Sequence, residues 1–217
     1  QNSTGEDCPL KIVVQGDITM TAQVVLTRGI TIEGSDISGG HINTPSGTHA
    51  FAVATGTVNR VTFRNLTFDM PTAAGTGLIN ISGDASCSYW ELDNCNVSGG
   101  RDVHAIVATS TEDLTGWKVR QCRFYSMAHT SAYCAIAVQA MFDMFVDGNE
   151  FVGGTGDEFD WFIGLFYGSC RNKVTNNRIT TGGTAIALYD DNIAVTLTDP
   201  CENNRIAGNV LSSSRSA

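Results

Sequence analysis

Two short acidic clusters are the residues of this chain best equipped for chemistry: Asp157-Glu158-Phe159-Asp160-Trp161 and Tyr189-Asp190-Asp191. A pair of carboxylates far enough apart to admit a water can cut a glycosidic bond with inversion, one as general acid and one as general base. A lyase instead needs a base, with calcium or basic groups to neutralise a uronate. The catalytic candidates are therefore Asp157, Asp160, Asp190 and Asp191. Trp161, Tyr167 and Tyr189, with Glu158 beside them, would make a glycan-binding surface, because flat aromatic faces stack on sugar rings. A blander reading is the stronger of the two: among 22 acidic residues, two clusters in turns are ordinary solvated surface.

Other chemistry is thin. His49, His104 and His129 are scattered along the chain, which suits core or surface histidines better than metal ligands. The triplet Asp157, Glu158 and Asp160 lacks a defined calcium-loop motif. No metal and no cofactor is expected. A formal charge of −9, with no basic stripe to offset it, repels phosphate backbones and argues against a nucleic-acid partner. No apolar run approaches the roughly 20 residues that span a bilayer, so no membrane span is expected. Seven cysteines contain no CxxC pair, which speaks against zinc and redox motifs and for an oxidising compartment. The chain opens at Gln1 without an initiator Met, so a removed leader or an excised fragment is expected. An extracellular, secreted or virion-surface location follows.

The elements that must carry these residues are legible as a repeat. Short β-rich segments, each a strand, a two-residue turn and a second strand, recur with central apolar residues Ile32, Phe63, Leu92, Val119, Val146, Val174 and Ile206. These anchors lie 27 to 32 residues apart. Between them runs another set of apolar strands, among them Ala50–Val53, Leu78–Ile81, Ala135–Val138, Phe162–Leu165 and Ala185–Leu188. No single coil can bury its apolar face alone; stacked coils bury a common core. The pattern predicts an all-β fold, a single-stranded right-handed parallel β-helix of about seven coils. Residues 1–29 would form an N-terminal cap and entry coil, 30–211 the β-helix, and 212–217 a C-terminal tail. Anchors would form one inward column, and Phe68, Val97, Phe124, Phe151, Ile179 and Leu211 a second.

Charges test the register independently of hydrophobicity. The residue after each anchor reads Glu33, Arg64, Asp93, Arg120, Asp147, alternating in sign. A second outward column reads Arg123, Glu150, Arg178, and a third begins Glu91, Lys118. Stacked about 4.8 Å apart, opposite charges attract by a few tenths to about 1 kcal/mol per pair. The turns carry Asn65, Asn94, Gln121 and Asn176, then Asn149, Asn177 and Asn209 one place later, where asparagine tolerates a left-handed backbone and bonds to its neighbour in the stack.

This asparagine ladder, with the opening stretch Ile12-Val-Val-Gln-Gly16 through Ile30-Thr-Ile-Glu-Gly34, resembles the pectin-lyase-like superfamily of right-handed parallel β-helices. The resemblance covers nearly the whole chain. It implies the fold, and a choice among lyases, hydrolases, phage tailspikes, adhesins and non-catalytic structural proteins. The motifs of the enzyme families are missing. Asn43-Thr44 is followed by Pro45, His41 by Ile42, and neither Arg178-Ile179 nor Arg205-Ile206 by Lys.

On that scaffold Cys95 and Cys122 share a turn column in adjacent coils, within disulfide reach, and Cys170 and Cys201 form a second candidate bridge. Two reduced thiols filling a small core slot suit Cys95 and Cys122 almost as well. Cys8 has no evident partner. Of the sequons at Asn2, Asn65, Asn80 and Asn96, Asn65 falls in the ladder, while Asn80 and Asn96 point outward as N-glycosylation candidates. The residues lean away from an enzyme. The expected function is a non-catalytic extracellular or virion-surface β-helix, a self-associating structural subunit of a filament or appendage with polysaccharide contacts. The alternatives are a polysaccharide-degrading lyase or glycoside hydrolase, and a glycan-binding adhesin dependent on Trp161 or Tyr189.

Overall fold

The computed structural model describes residues 10–35, 40–101, 104–112, 114–127, 134–153, 161–181, 184–189 and 201–213. Their strands form an all-β, all-parallel solenoid in which the chain visits three sheets in turn. Sheet A stacks Leu10–Val14, Ile30–Gly34, Thr62–Arg64, Glu91–Asp93, Lys118–Arg120, Phe145–Asp147, Lys173–Thr175 and Arg205–Ala207. Sheet B stacks Gly16–Thr19, Gly40–Asn43, Thr67–Ala74, Asn96–Arg101, Arg123–Met127, Glu150–Gly153, Arg178–Thr181 and Val210–Ser213. Sheet C stacks Val24–Val25, His49–Thr57, Gly77–Ser86, Ile106–Ala108, Cys134–Gln139, Trp161–Phe166 and Thr184–Tyr189.

Side chains alternate across a strand, so a three-residue strand of sheet A buries its middle residue and presents the other two to solvent. The register places Ile32, Phe63, Leu92, Val119, Val146, Val174 and Ile206 in one column. Phe68, Val97, Phe124, Phe151, Ile179 and Leu211 form the second. Sheet C adds Ile79, Ile106, Ile136 and Ile163. All are buried except at the last rung, where Ile206 is 43% and Leu211 61% exposed. Their positions in the columns match the prediction; their burial does not, because no further rung covers them among the described residues.

Aromatic rings stack between rungs. Phe124 and Phe151 lie 4.9 Å apart and nearly parallel. Trp90 and Trp117 lie 5.2 Å apart, and their indole N–H groups donate to the carbonyls of Val58 and Cys87. The turn from sheet A to sheet B has a left-handed residue at Asn65, Asn94, Gln121 and Asn176, with Gly148 and Gly208 in the equivalent places. In the next position Asn149 and Asn177 are buried. The Asn149 amide donates to the Val119 carbonyl and to Asn177 Oδ1, and Asn177 repeats the pattern with Val146 and Asn209. Buried amides are tolerable only when bonded this way.

The charged columns stand in the expected register, with different partners. Arg64 pairs with Asp93 at 3.1 Å, and Arg120 reaches Asp93 at 3.2 Å and Glu91 at 2.7 Å. Arg123 pairs with Glu150 at 2.9 Å, and Arg178 approaches the same carboxylate at 4.0 Å. Glu33 faces Arg64 in the register but binds Lys11 at 2.6 Å. Glu91 is taken by the two arginines rather than by Lys118. Asp147 accepts from the Thr175 hydroxyl at 2.5 Å and the Asn176 amide at 2.9 Å. A long side chain can reach the rung before or after its own, and the register does not choose between them.

Candidate functional site

The acidic candidates Asp157, Glu158, Asp160, Asp190 and Asp191 lie outside the described residues, as do Cys8, Asn2 and His129. Trp161 opens its sheet C strand and pairs with Thr184, whereas Tyr189 ends the next strand and pairs with Phe166. Five residues of strand, about 16 Å, therefore separate the two aromatic positions along the sheet. Tyr167 follows Phe166 in a left-handed conformation, its ring 6.1 Å from the Phe166 ring, at the Tyr189 end.

Cys95 and Cys122 occupy the turn column that asparagines fill in later rungs. They are thiols in the structure, so the expected bridge is absent. Each sulfur donates to a backbone carbonyl instead, Cys95 to Asp93 at 3.4 Å and Cys122 to Arg120 at 3.2 Å. The Cys122 side chain next to its sulfur holds Cys95 below its ordinary pKa, while burial pushes Cys122 up. No disulfide joins Cys170 to Cys201 either. Cys170 accepts from the Glu202 N–H at 3.4 Å, and Cys201 points at the Leu165 carbonyl 3.8 Å away. Asn80 sits at an outward position of sheet C between Ala52 and Val107. Asn96 lies on sheet B with its amide 3.5 Å from the Thr67 hydroxyl. Asn65 accepts from the Asn94 amide in the ladder.

His49 and His104 behave as core histidines. His49 Nε2 lies 3.2 Å from the His104 carbonyl, and His104 Nδ1 accepts from the Cys134 N–H at 2.9 Å. Burial lowers both pKa values, that of His104 to about 4. Among the described residues no group of three or more His, Cys, Asp or Glu side chains is placed to hold a metal ion, and no helix is long and apolar enough to cross a membrane.

Two constellations escape a reading of the sequence. On sheet B, His41 bridges three rungs: Nε2 lies 2.7 Å from Asp69, and Nδ1 3.2 Å from Asp17. Asp69 also accepts from the Ser98 hydroxyl. Burial alone would lower the His41 pKa, but the two carboxylates outweigh it and hold the imidazole above its usual value. The hydroxyl meets a carboxylate rather than the imidazole, so these groups form a clasp and not a nucleophile with its base.

The second is a groove of about 710 Å³ on the outer face of sheet A, lined by Lys118, Arg120, Phe145, Asp147, Lys173 and Arg205 among others. Lys118, Phe145, Lys173 and Arg205 are consecutive outward partners in the register. Phe145 is 38% exposed, and the Lys173 ammonium lies 4.8 Å from its ring centre. Arg120 is engaged with Glu91 and Asp93. Lys118 and Arg205 make no ion pair among the described residues. Such a groove can attract an anion and present an apolar ring to it. The signal in the sequence was the third charged column, whose continuation beyond Lys118 is Phe145, Lys173 and Arg205.

The solenoid agrees with the fold of the pectin-lyase-like superfamily. No family model matches the chain, and neither the curated proteins nor the solved structures contain a significant match to it.

Proposed function

We propose that this chain is a non-catalytic extracellular or virion-surface β-helix, a structural subunit that self-associates end to end in a filament or appendage. The observation that carries this reading is the character of the two ends. Core-column residues stand open at the first rungs (Ile12, Ile18 and Val24) and at the last (Ile206 and Leu211). Ile12 and Ile206 belong to one column, and Ile18 and Leu211 to another. A second copy laid end-on would continue both columns and pair the backbone edges that an open sheet leaves exposed. A right-handed winding goes with this reading, since parallel crossover connections are right-handed in about 98% of cases.

Light scattering after size exclusion, with micrographs of the same samples, tests it. Elongated assemblies that grow with protein concentration are expected. A monomer at every concentration would overturn the proposal. Incubation with acidic and neutral glycans is expected to release no new reducing ends and no unsaturated product; either product would make the chain an enzyme.

A further inference from the structure

We infer that the start of sheet C is a latch released by acid: proton uptake by the neighbouring imidazoles of His104 and His49 parts the rungs they join. The two side chains tie four rungs together. His49 begins its strand opposite Gly77, and its ring crosses that rung to the His104 carbonyl, 3.2 Å from Nε2. His104 in turn reaches the following rung, where its Nδ1 lies 2.9 Å from the Cys134 nitrogen. These partners fix where the protons sit. A carbonyl can only accept, so His49 Nε2 carries a hydrogen; a backbone amide can only donate, so His104 Nδ1 carries none. A second proton on His104 has to enter at Nδ1, where the Cys134 N–H already points. Two N–H groups cannot face each other at that distance, so protonation breaks the bond.

The packing gives the rings little room to turn away. A Cβ on Gly77 would stand 2.5 Å from His49 Cδ2 and 2.7 Å from the His104 carbonyl, so the His49 ring rests against bare backbone. His49 is buried, and Cys134 wholly so. A positive charge here leaves water behind, and with both rings protonated it meets a second positive charge. Among the described residues the titratable groups facing the pair are the two imidazoles and Cys134; Gln23, bonded to Thr48 and to the His49 carbonyl, is neutral. Burial, then the neighbouring His49, push the His104 pKa down to about 4, and burial lowers that of His49. Stability held by the neutral pair is therefore complete above about pH 6.5, the unfolded value, and is lost as pH falls toward the folded one. Opening returns His104 to its ordinary pKa, so the open form gains roughly twentyfold between pH 7 and pH 5. His41 has the opposite sign and cannot produce this loss. Behind the latch the Ala105 N–H donates to the Cys134 carbonyl, and the Ala105 carbonyl accepts from Leu78 and Ile79. Sheets A and B of the same coils have ladders of their own. The latch does not depend on end-to-end assembly: a dispersed monomer would refute the filament and still open in acid.

Amide hydrogen exchange of the full chain, followed by NMR at pH 7 and pH 5 and corrected for the intrinsic pH dependence of exchange, tests this. The amides of Leu78, Ile79, Ala105 and Cys134 should lose roughly twentyfold in protection, while those of Lys118 in sheet A and Arg123 in sheet B keep theirs. The variant His104→Asn sets an oxygen near the place of Nδ1, still accepts from Cys134 and cannot titrate. It should match the parent at pH 7 and lose most of the pH dependence, whereas His41→Gln should retain it. The imidazole C–H resonances of the parent give a readout that needs no variant: His104 should titrate well below the usual histidine range. The inference is overturned if His104 titrates as a free imidazole does, if the sheet C amides stay protected at pH 5, or if all three sheets lose protection alike. It is overturned equally if His104→Asn keeps the full pH dependence or His41→Gln abolishes it.

Discussion

His41 reaches two carboxylates on two other rungs, and this makes the N-terminal end of the solenoid sensitive to pH. Its pKa is raised above 6.5 by Asp69 and Asp17 against the opposing effect of burial. The charged form is therefore favoured in the folded state. The stability this contributes is fully present below about pH 6.5, the unfolded value, and is lost as pH rises through the higher folded value. Urea midpoints of the parent and of His41→Gln should differ most near pH 6 and converge at alkaline pH. A difference that stays constant with pH would show that the imidazole contributes shape rather than charge. The cysteines illustrate a neighbouring point. The turn slot of Cys122 is one that Asn149 fills a rung later, and the Asn149 side-chain Oδ1 accepts the Cys122 N–H. Sequence placed both residues in one column, yet two sulfurs at rung spacing are compatible with a bond or with two thiols. Only the direction of each side chain separates the cases.

A three-residue strand has no stability of its own, and each inner strand of sheet A is held by the rungs on either side. Its middle residue supplies the burial. This is why the anchors were legible in the sequence: a single apolar residue recurs at a fixed place in each coil, and an inward position cannot accept a charge. Phe124 shows the strength of the stack. It is fully buried and lies against Phe151. Truncation of a buried phenylalanine usually costs about 3–5 kcal/mol, so Phe124→Ala should lower the unfolding free energy by that order, read from urea titration. A loss below about 1 kcal/mol would mean that neighbouring rungs close the gap. The outward residues of the same strands were only partly legible. Alternating sign identified the column of Arg64, Asp93 and Arg120, but Glu33 pairs with Lys11 and leaves Arg64 to Asp93 and Glu91. Hydrophobic burial has one direction, toward the axis. A surface charge has two neighbours along the column and others beside it.

At the scale of the whole molecule the first and last described rungs expose core-column side chains, Ile12 and Ile18 at one and Ile206 and Leu211 at the other, and these are the contacts of the proposed assembly. Leu211→Asp places a charge on the apolar column at the last rung without disturbing a buried contact, since that residue is already 61% exposed. The variant should remain folded by circular dichroism and lose the concentration-dependent assemblies in light scattering. Assemblies that persist unchanged would move the contact to a lateral face. The sequence by itself determined the parallel stacked architecture, the register of its rungs and the identity of the inward columns. A repeat of about one coil brings the same position over itself, and apolar side chains have only the axis to turn toward. Tertiary structure alone decided the pairing of the charges, the thiol state of the turn cysteines, the His41 clasp and the basic groove. Lys118, Phe145, Lys173 and Arg205 stand 27, 28 and 32 residues apart in the chain. They become one surface only when the rungs close up, and Lys118 is left without its register partner Glu91 because Arg64 and Arg120 hold that carboxylate.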